Sequence, residues 1–214
     1  MKRRWWGRWI GRRPADEVVR LRAELARLRR ELADAWYAAD HDPLTELLNR
    51  RGFYERAARM LAGPDGQAVS VMLLDLDGFK LVNDAYGHRV GDRVLVTMTA
   101  RLVAHLYDGW LCARLGGDEF AVLNVAADTR APLAARAAVL AEVLAAPVRV
   151  DRQPVEVGAA IGTVSAVTPA SLGVLLGRAD AAMYRAKHTG RPVAWDPARD
   201  GDPTPAVRAL AGVS

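Results

Sequence analysis

The polar and apolar positions change rhythm along the chain, and each rhythm predicts a different element. Between residues 15 and 41, Val18, Leu21, Leu25, Leu28, Leu32, Ala35 and Ala39 recur at alternating spacings of three and four. That spacing draws one narrow apolar stripe along a long helix, the seam of a coiled coil. The positions between are mostly Arg, Glu and Ala, all good helix formers. Pro14 precedes the stripe, and acidic residues come early in it, as the helix dipole prefers. Pro43 stops the helix near Asp42. A parallel two-stranded coiled coil is the leading reading; one amphipathic helix packed on its own domain is the alternative.

The rhythm then breaks. A second helix is expected from about Asn49 to Leu61, followed by a turn at Gly63–Gly66. QAVSVMLLDLD, residues 67–77, is a nearly continuous apolar run ending in Asp75 and Asp77, the pattern of a buried strand. Helical spacing returns at about 78–85 and 90–106. LCARL and EFAVLN read as short strands joined through Gly116-Gly117, a hairpin dipeptide. An Ala-rich amphipathic helix follows at 129–146, then strands within 148–165 with a turn near Arg152-Gln153. A last helix covers 171–188, and VAW, 193–195, reads as a closing strand. From residue 67 the order is strand, helices, strand, strand, helix, strand. This predicts an α+β, ferredoxin-like βαββαβ fold with an antiparallel sheet and helices on one face. The expected organisation is a leader (1–14), a coiled-coil helix (15–41), one domain (42–196) and an irregular tail (197–214).

Composition narrows the function. Apolar residues make up 51% of the 214, enough for a real core. The single cysteine, Cys112, cannot form an internal disulfide, so a reducing compartment, the cytoplasm, is expected. No apolar run approaches the roughly 18 residues that would span a bilayer, and the N-terminus lacks a secretory h-region. The net charge of +5 misleads, because residues 1–30 hold 11 Lys/Arg against 3 Asp/Glu and the rest is acidic overall. No basic surface spreads over the fold, so no specific nucleic-acid partner is expected. The leader sets Trp5, Trp6 and Trp9 among six basic residues. Indole and guanidinium together suit an anionic membrane surface, so residues 1–13 are a candidate peripheral anchor at the inner membrane face. A sticky tail is the alternative.

The chemistry lies in the acids. In a βαββαβ layout the strand ending at Asp75 lies beside the hairpin whose tip carries Asp118 and Glu119. Three carboxylates gathered at one sheet edge repel unless a cation sits among them. Mg²⁺ suits such a site, with phosphate oxygens completing its shell, and Mn²⁺ is an alternative. The two glycines permit the turn and leave room for a polyphosphate. Lys80 follows the acids and could reach a phosphate as a point charge. Asn83 and Asp92 together offer an amide and a carboxylate that match the edge of guanine. Each also has a bland reading: a solvated turn for Gly-Gly, a helix cap for Asn83, a helix start for Asp92.

Four segments carry a resemblance: RLGGDEFAVL, DLDGFKLVNDAYGHRVGD, DPLTELLNRRGF and ADAAMYRAKHTGR. In that register the chain resembles the GGDEF family, the diguanylate cyclases, over about residues 41–196. The signature Gly116-Gly117-Asp118-Glu119-Phe120 is complete. The resemblance implies a palm like that of nucleotidyl cyclases and polymerases, joining two GTP molecules into cyclic di-GMP with release of pyrophosphate. It implies metal ligation by Asp75 and Asp118 with the Leu76 carbonyl. It makes Asp118 the group that draws the proton from the attacking hydroxyl, with Glu119 in support. It implies that Asn83, His88 and Asp92, with Phe79, hold the guanine nucleoside, that Lys80, Lys187 and Arg191 neutralise phosphates, and that Lys80 acts in catalysis by steadying the transition state. Lys187 and Arg191, four apart at the end of the last helix, are expected to project to one side. Because each GTP attacks the other, two domains must meet, and the heptads are the expected homodimer tether. A non-catalytic domain binding GTP or cyclic di-GMP is the alternative. Two departures stand out. The family's inhibitory RxxD is replaced by Tyr107-Asp108-Gly109-Trp110, which implies no feedback there, and Glu46 replaces a customary glycine.

Overall fold

The structure is a computed structural model that describes residues 14–106, 109–126, 132–151, 153–196 and 200. The leader, Tyr107, Asp108 and nearly all of the tail lie outside the described residues, and with them the membrane expectation and the first two of the four replaced RxxD positions. The chain divides into two compact units, residues 1–39 and 40–214.

In the first unit the stripe forms the helix its spacing predicts, α1 (Pro14–Asp40). Val18, Leu21, Leu25, Leu28 and Leu32 are exposed on it. Arg27 pairs with Glu24 and Glu31 along the same helix, contacts worth a few tenths of a kcal/mol each.

The second unit starts with α2 (Arg50–Leu61), whose N-cap Asn49 accepts a hydrogen bond from the Gly52 amide. β1 (Ala68–Leu76) is the middle of a five-stranded sheet whose strands lie in the order Leu111–Gly116, Glu119–Ala126, Ala68–Leu76, Ala159–Val167, Val193–Ala194. Between β1 and β2 (Leu111–Gly116) lie α3 (Phe79–Tyr86) and α4 (His88–Ala104). β3 (Glu119–Ala126) leads to α5 (Leu133–Ala145), then a small hairpin, β4 (Val148–Val150) and β5 (Gln153–Val155), then β6 (Ala159–Val167). α6 (Leu172–Thr189) and β7 (Val193–Ala194) close the fold. β1 runs antiparallel to both β3 and β6, as the βαββαβ reading requires, and β7 joins β6 in parallel.

The helices do not keep to one face. Met72, Leu74 and Leu76 of β1 face one way, with Phe120, Val122 and Ile161, and pack against α3, α4 and α5. Val69, Val71 and Leu73 face the other way, with Leu123 and Val164, and pack against α2 and α6. Alternate side chains point to opposite faces of a strand, so a strand covered on both must be apolar throughout. The one-face expectation holds for the helices inside the βαββαβ unit; α2 and α6, outside it, cover the second face. Helix α6 lies very close to the sheet. A Cβ added at Gly162 of β6 would stand 2.1 Å from the Ala179 carbonyl oxygen and 2.2 Å from the Met183 nitrogen, both backbone atoms of α6.

Candidate active site

Sheet register brings the acids together. Asp75, at the end of the buried part of β1, is directly opposite Glu119, the first residue of β3. One residue on, the Leu76 amide donates to the Asp118 carbonyl at 3.2 Å. The hairpin tip is Gly117-Asp118 rather than Gly116-Gly117. The β2–β3 register shifts between Arg114 and Gly116, so Gly116 pairs with Glu119 and the turn moves one residue along. Gly117 has φ +51°, which glycine adopts without strain, and a Cβ at Gly116 or Gly117 would meet nothing within 4 Å. The tip therefore opens on free space, as the approach of a phosphate chain needs.

The carboxylates feel one another. Asp118 is shifted up, first by burial and then by the negative charge of Asp75, with Lys187 and Arg114 opposing. Glu119 is shifted up by burial, Asp75, Asp118 and Asp180, against Arg50. Asp77 is shifted up by burial and by Asp75. A cation already answers part of this repulsion: Lys187 Nζ, on the last turn of α6, stands 2.9 Å from Asp75 Oδ1. Partial burial lowers the Lys187 pKa, but the hydrogen bond and charge of Asp75 outweigh it, and the ammonium is held above its ordinary value.

Two arginines fix the hairpin. Arg114 Nε and Nη2 donate to the Gly117 carbonyl at 2.9 and 2.7 Å, while Nη1 reaches both Asp42 oxygens at 3.2 Å. Asp42 Oδ1 also accepts from the Thr45 amide at 2.8 Å and hydroxyl at 2.7 Å. Arg50 Nε donates to the Leu115 carbonyl at 3.2 Å, and its guanidinium lies 4.0 Å from Glu119. These roles of Asp42, Arg50 and Arg114 were not among the sequence expectations. The Asp-x-x-Thr spacing of Asp42 and Thr45 was the available signal, since it is the pattern of a side-chain-closed turn. Nothing local could pair Asp42 with a residue 72 positions on.

The α3–α4 pair carries the expected guanine residues. A Cβ at Gly91 would stand 1.9 Å from Asn83 Oδ1 and 3.2 Å from the Phe79 ring. Only glycine lets the helices approach this closely, and the contact sets Asn83 beside the backbone that continues into Asp92. His88 and Asp92, four apart on α4, share an exposed face. Lys80 is exposed on the first turn of α3, directly after the acids. Phe79 is 8% exposed in the core cluster, and its ring tip lies with Asn83 beside Gly91. One expectation needs correction. Arg191 lies past the helix: α6 ends at Thr189, and Gly190 at φ +65° turns the chain, so helical spacing does not align Arg191 with Lys187.

The arrangement has known counterparts. The sequence profile described as "Diguanylate cyclase, GGDEF domain" matches residues 39–192. The chain belongs to the GGDEF domain family. It is 39% identical over 173 residues to the diguanylate cyclase TpbB of Pseudomonas aeruginosa, covering 78% of this chain and 39% of that protein. It is 35% identical over 171 residues to the diguanylate cyclase VdcA of Vibrio cholerae, covering 78% of this chain and 50% of that one. The chain thus spans half or less of the length of these curated relatives. The crystal structure of the coiled coil and GGDEF domain of DgcB from Caulobacter crescentus, in complex with c-di-GMP, superposes with a TM-score of 0.76 at 26% identity. The match covers 85% of this chain and 97% of that one.

The donor set of this GGDEF domain fits a hard divalent cation. Asp75 and Asp118 offer charged oxygens at one edge, and the negative charges that, after burial, raise Asp118 and Glu119 are what an added positive charge would offset. Among the described residues no three His, Cys, Asp or Glu side chains close around one point. Cys112 takes no part: burial pushes its thiol up to about 12. No described helix is long and apolar enough to cross a membrane.

Proposed function

We propose that this chain is a diguanylate cyclase that condenses two GTP molecules into cyclic di-GMP, releasing pyrophosphate, and that it works as a homodimer with Mg²⁺ or Mn²⁺. The observation that carries the reading is the cross-strand placement of Asp75 against Glu119, with Asp118 at the hairpin tip and Lys187 among them. Asp75 and Asp118, with the Leu76 carbonyl, would hold the ion, which when bound polarises the α-phosphate and lowers the pKa of the attacking hydroxyl. Asp118, whose carboxyl is already raised, is suited to accept the hydroxyl proton. Glu119, steadied by Arg50, supports the metal side of the site. Lys80 and Lys187 neutralise the triphosphate, and Arg191, from beyond the helix, joins them. Asn83, Asp92 and His88 read the guanine nucleoside from the α3–α4 pair. Phosphoryl transfer asks for positioning and charge compensation more than covalent chemistry, which is what these groups supply.

One such site holds one GTP, so two must face each other. The exposed stripe of α1 is suited to pairing two copies through its heptads. Incubating the purified chain with GTP and Mg²⁺ and separating the nucleotides tests the reading. Cyclic di-GMP and pyrophosphate are expected, with turnover abolished in Asp118→Asn. Bound GTP or cyclic di-GMP without turnover would instead make the domain a non-catalytic receptor.

A further inference from the structure

The ion pair at the acid edge bears on the order in which ligands arrive. Lys187 Nζ stands 2.9 Å from Asp75 Oδ1, and the charges of Asp118 and Asp77 also act on it. The two ends of the pair differ in freedom. The Asp75 side chain is 14% exposed on a backbone held by strand pairing on both sides, whereas the Lys187 side chain is 40% exposed on the last helical turn of α6. The short Asp75 side chain has little room to move off; the four-carbon stem of Lys187 can swing. We propose that Lys187 is the resident counter-ion of the nucleotide-free site, holding the cation's place against Asp75, and that it must leave before a divalent ion can bind there.

The inference rests on the reading of Asp75 as a metal ligand beside a triphosphate, and it adds a linkage to that reading. A divalent ion arriving alone has to break the Lys187–Asp75 pair and leave the ammonium beside a second cation, so it binds weakly. An ion arriving with a nucleoside triphosphate meets no such penalty, because the displaced Lys187 gains phosphate oxygens as new partners. One lysine thereby makes metal and nucleotide binding cooperative, and it keeps the acids of the edge partly neutralised while the site waits.

The test uses Mn²⁺ alone, without nucleotide, titrated against the full chain and followed by the electron paramagnetic resonance signal of free Mn²⁺. Lys187→Met is expected to bind Mn²⁺ roughly fivefold to tenfold more tightly than wild type, about 1–1.4 kcal/mol. Lys187→Arg keeps the charge and is expected to bind as weakly as wild type. Arg59→Met, on the exposed face of α2, removes a positive charge away from the site and controls for net charge. A non-hydrolysable GTP analogue is expected to tighten Mn²⁺ binding to wild type, and by a smaller factor to Lys187→Met. Folding is checked by circular dichroism and melting. Mn²⁺ binding in folded Lys187→Met that is no tighter than wild type, or equal tightening in Lys187→Arg or Arg59→Met, overturns the proposal. A chain that makes no cyclic di-GMP yet binds Mn²⁺ more tightly as Lys187→Met loses the cyclase reading and keeps this one.

Discussion

Arg114→Ala is the substitution whose effect the structure lets one work out most fully. Its guanidinium clamps the hairpin from two sides, with two bonds to the Gly117 carbonyl and a forked contact to Asp42. The Arg114 and Asp42 side chains are only 14% and 18% exposed, so the pair is less screened than a surface ion pair. A net hydrogen bond to a charged group contributes about 1.5–3 kcal/mol. Asp42 would not be stranded by the loss, because Thr45 still donates to it twice, and the freed Gly117 carbonyl can turn to water. The expected loss is therefore about 2–3 kcal/mol rather than the sum of four bonds. For a chain of this length that lowers Tm by roughly 4–12 °C. Differential scanning calorimetry gives the stability, and a double-mutant cycle with Asp42→Ala isolates the pair, with a coupling of about 1 kcal/mol or more. A single ammonium cannot serve both sides of the fork, so Arg114→Lys should lose nearly as much. Turnover should fall further than nucleotide binding, because Asp118 directly follows the clamped carbonyl. A Tm within about 1 °C of wild type, or a coupling near zero, would refute the argument that this clamp fixes the hairpin tip.

Four further outcomes are expected. Glu46 sits at φ +59°, where a side chain costs about 1–2 kcal/mol; after the entropy that glycine adds to the unfolded chain, Glu46→Gly should gain about 0.5–1 kcal/mol in a denaturant melt. Gly162→Ala must push β6 from α6 and should cost about 3 kcal/mol or more, read as a large fall in urea midpoint. Leu25→Pro breaks α1 at a cost of about 3 kcal/mol; by sedimentation the chain should become monomeric, with turnover recovering only as protein concentration rises. The last concerns pH. Asp77, Asp118 and Glu119 have raised pKa values, so their ionisation weakens the fold as pH climbs above the unfolded values of 3.8 and 4.5. Burial would raise Asp42, but bonds from Thr45 and Arg114 lower it, so its contribution is present above 3.8 and is lost as pH falls through its depressed value. Tm should thus rise as pH falls through the raised folded-state values of these acids towards 3.8 and 4.5, and drop only at stronger acid, and Asp77→Asn with Asp118→Asn should flatten the first slope.

What the sequence made legible follows from the range of the interactions involved. The apolar run of β1 and the spacings of three and four in α1 are set by neighbours a few residues apart, and both elements appear where the pattern places them. The acid edge was legible because strand order and hairpin length leave few registers, so Asp75 had to end near Glu119. The misses are of a different kind. A single bulged residue moved the hairpin tip from Gly116-Gly117 to Gly117-Asp118, and hydrophobic alternation does not report a one-residue slip in a strand as short as β2. Arg191 was expected on the helix because four-residue spacing was counted through Gly190, whose positive φ ends the helix instead.

The charges divide along the same line. Acids can be located from strand ends, but their partners come from elsewhere: Arg50 from α2, Arg114 from β2, Lys187 from α6. Each cation is chosen by tertiary packing, and α6 reaches Asp75 only because Gly162 lets it lie on β6. The glycine that seats a helix on the sheet is thereby also what delivers Lys187 to the acids. A change at Gly162 should therefore disturb the charge balance of the site even in a variant stabilised enough to stay folded, and a weakened dependence of Mn²⁺ binding on Lys187 in that background is where the effect would be read.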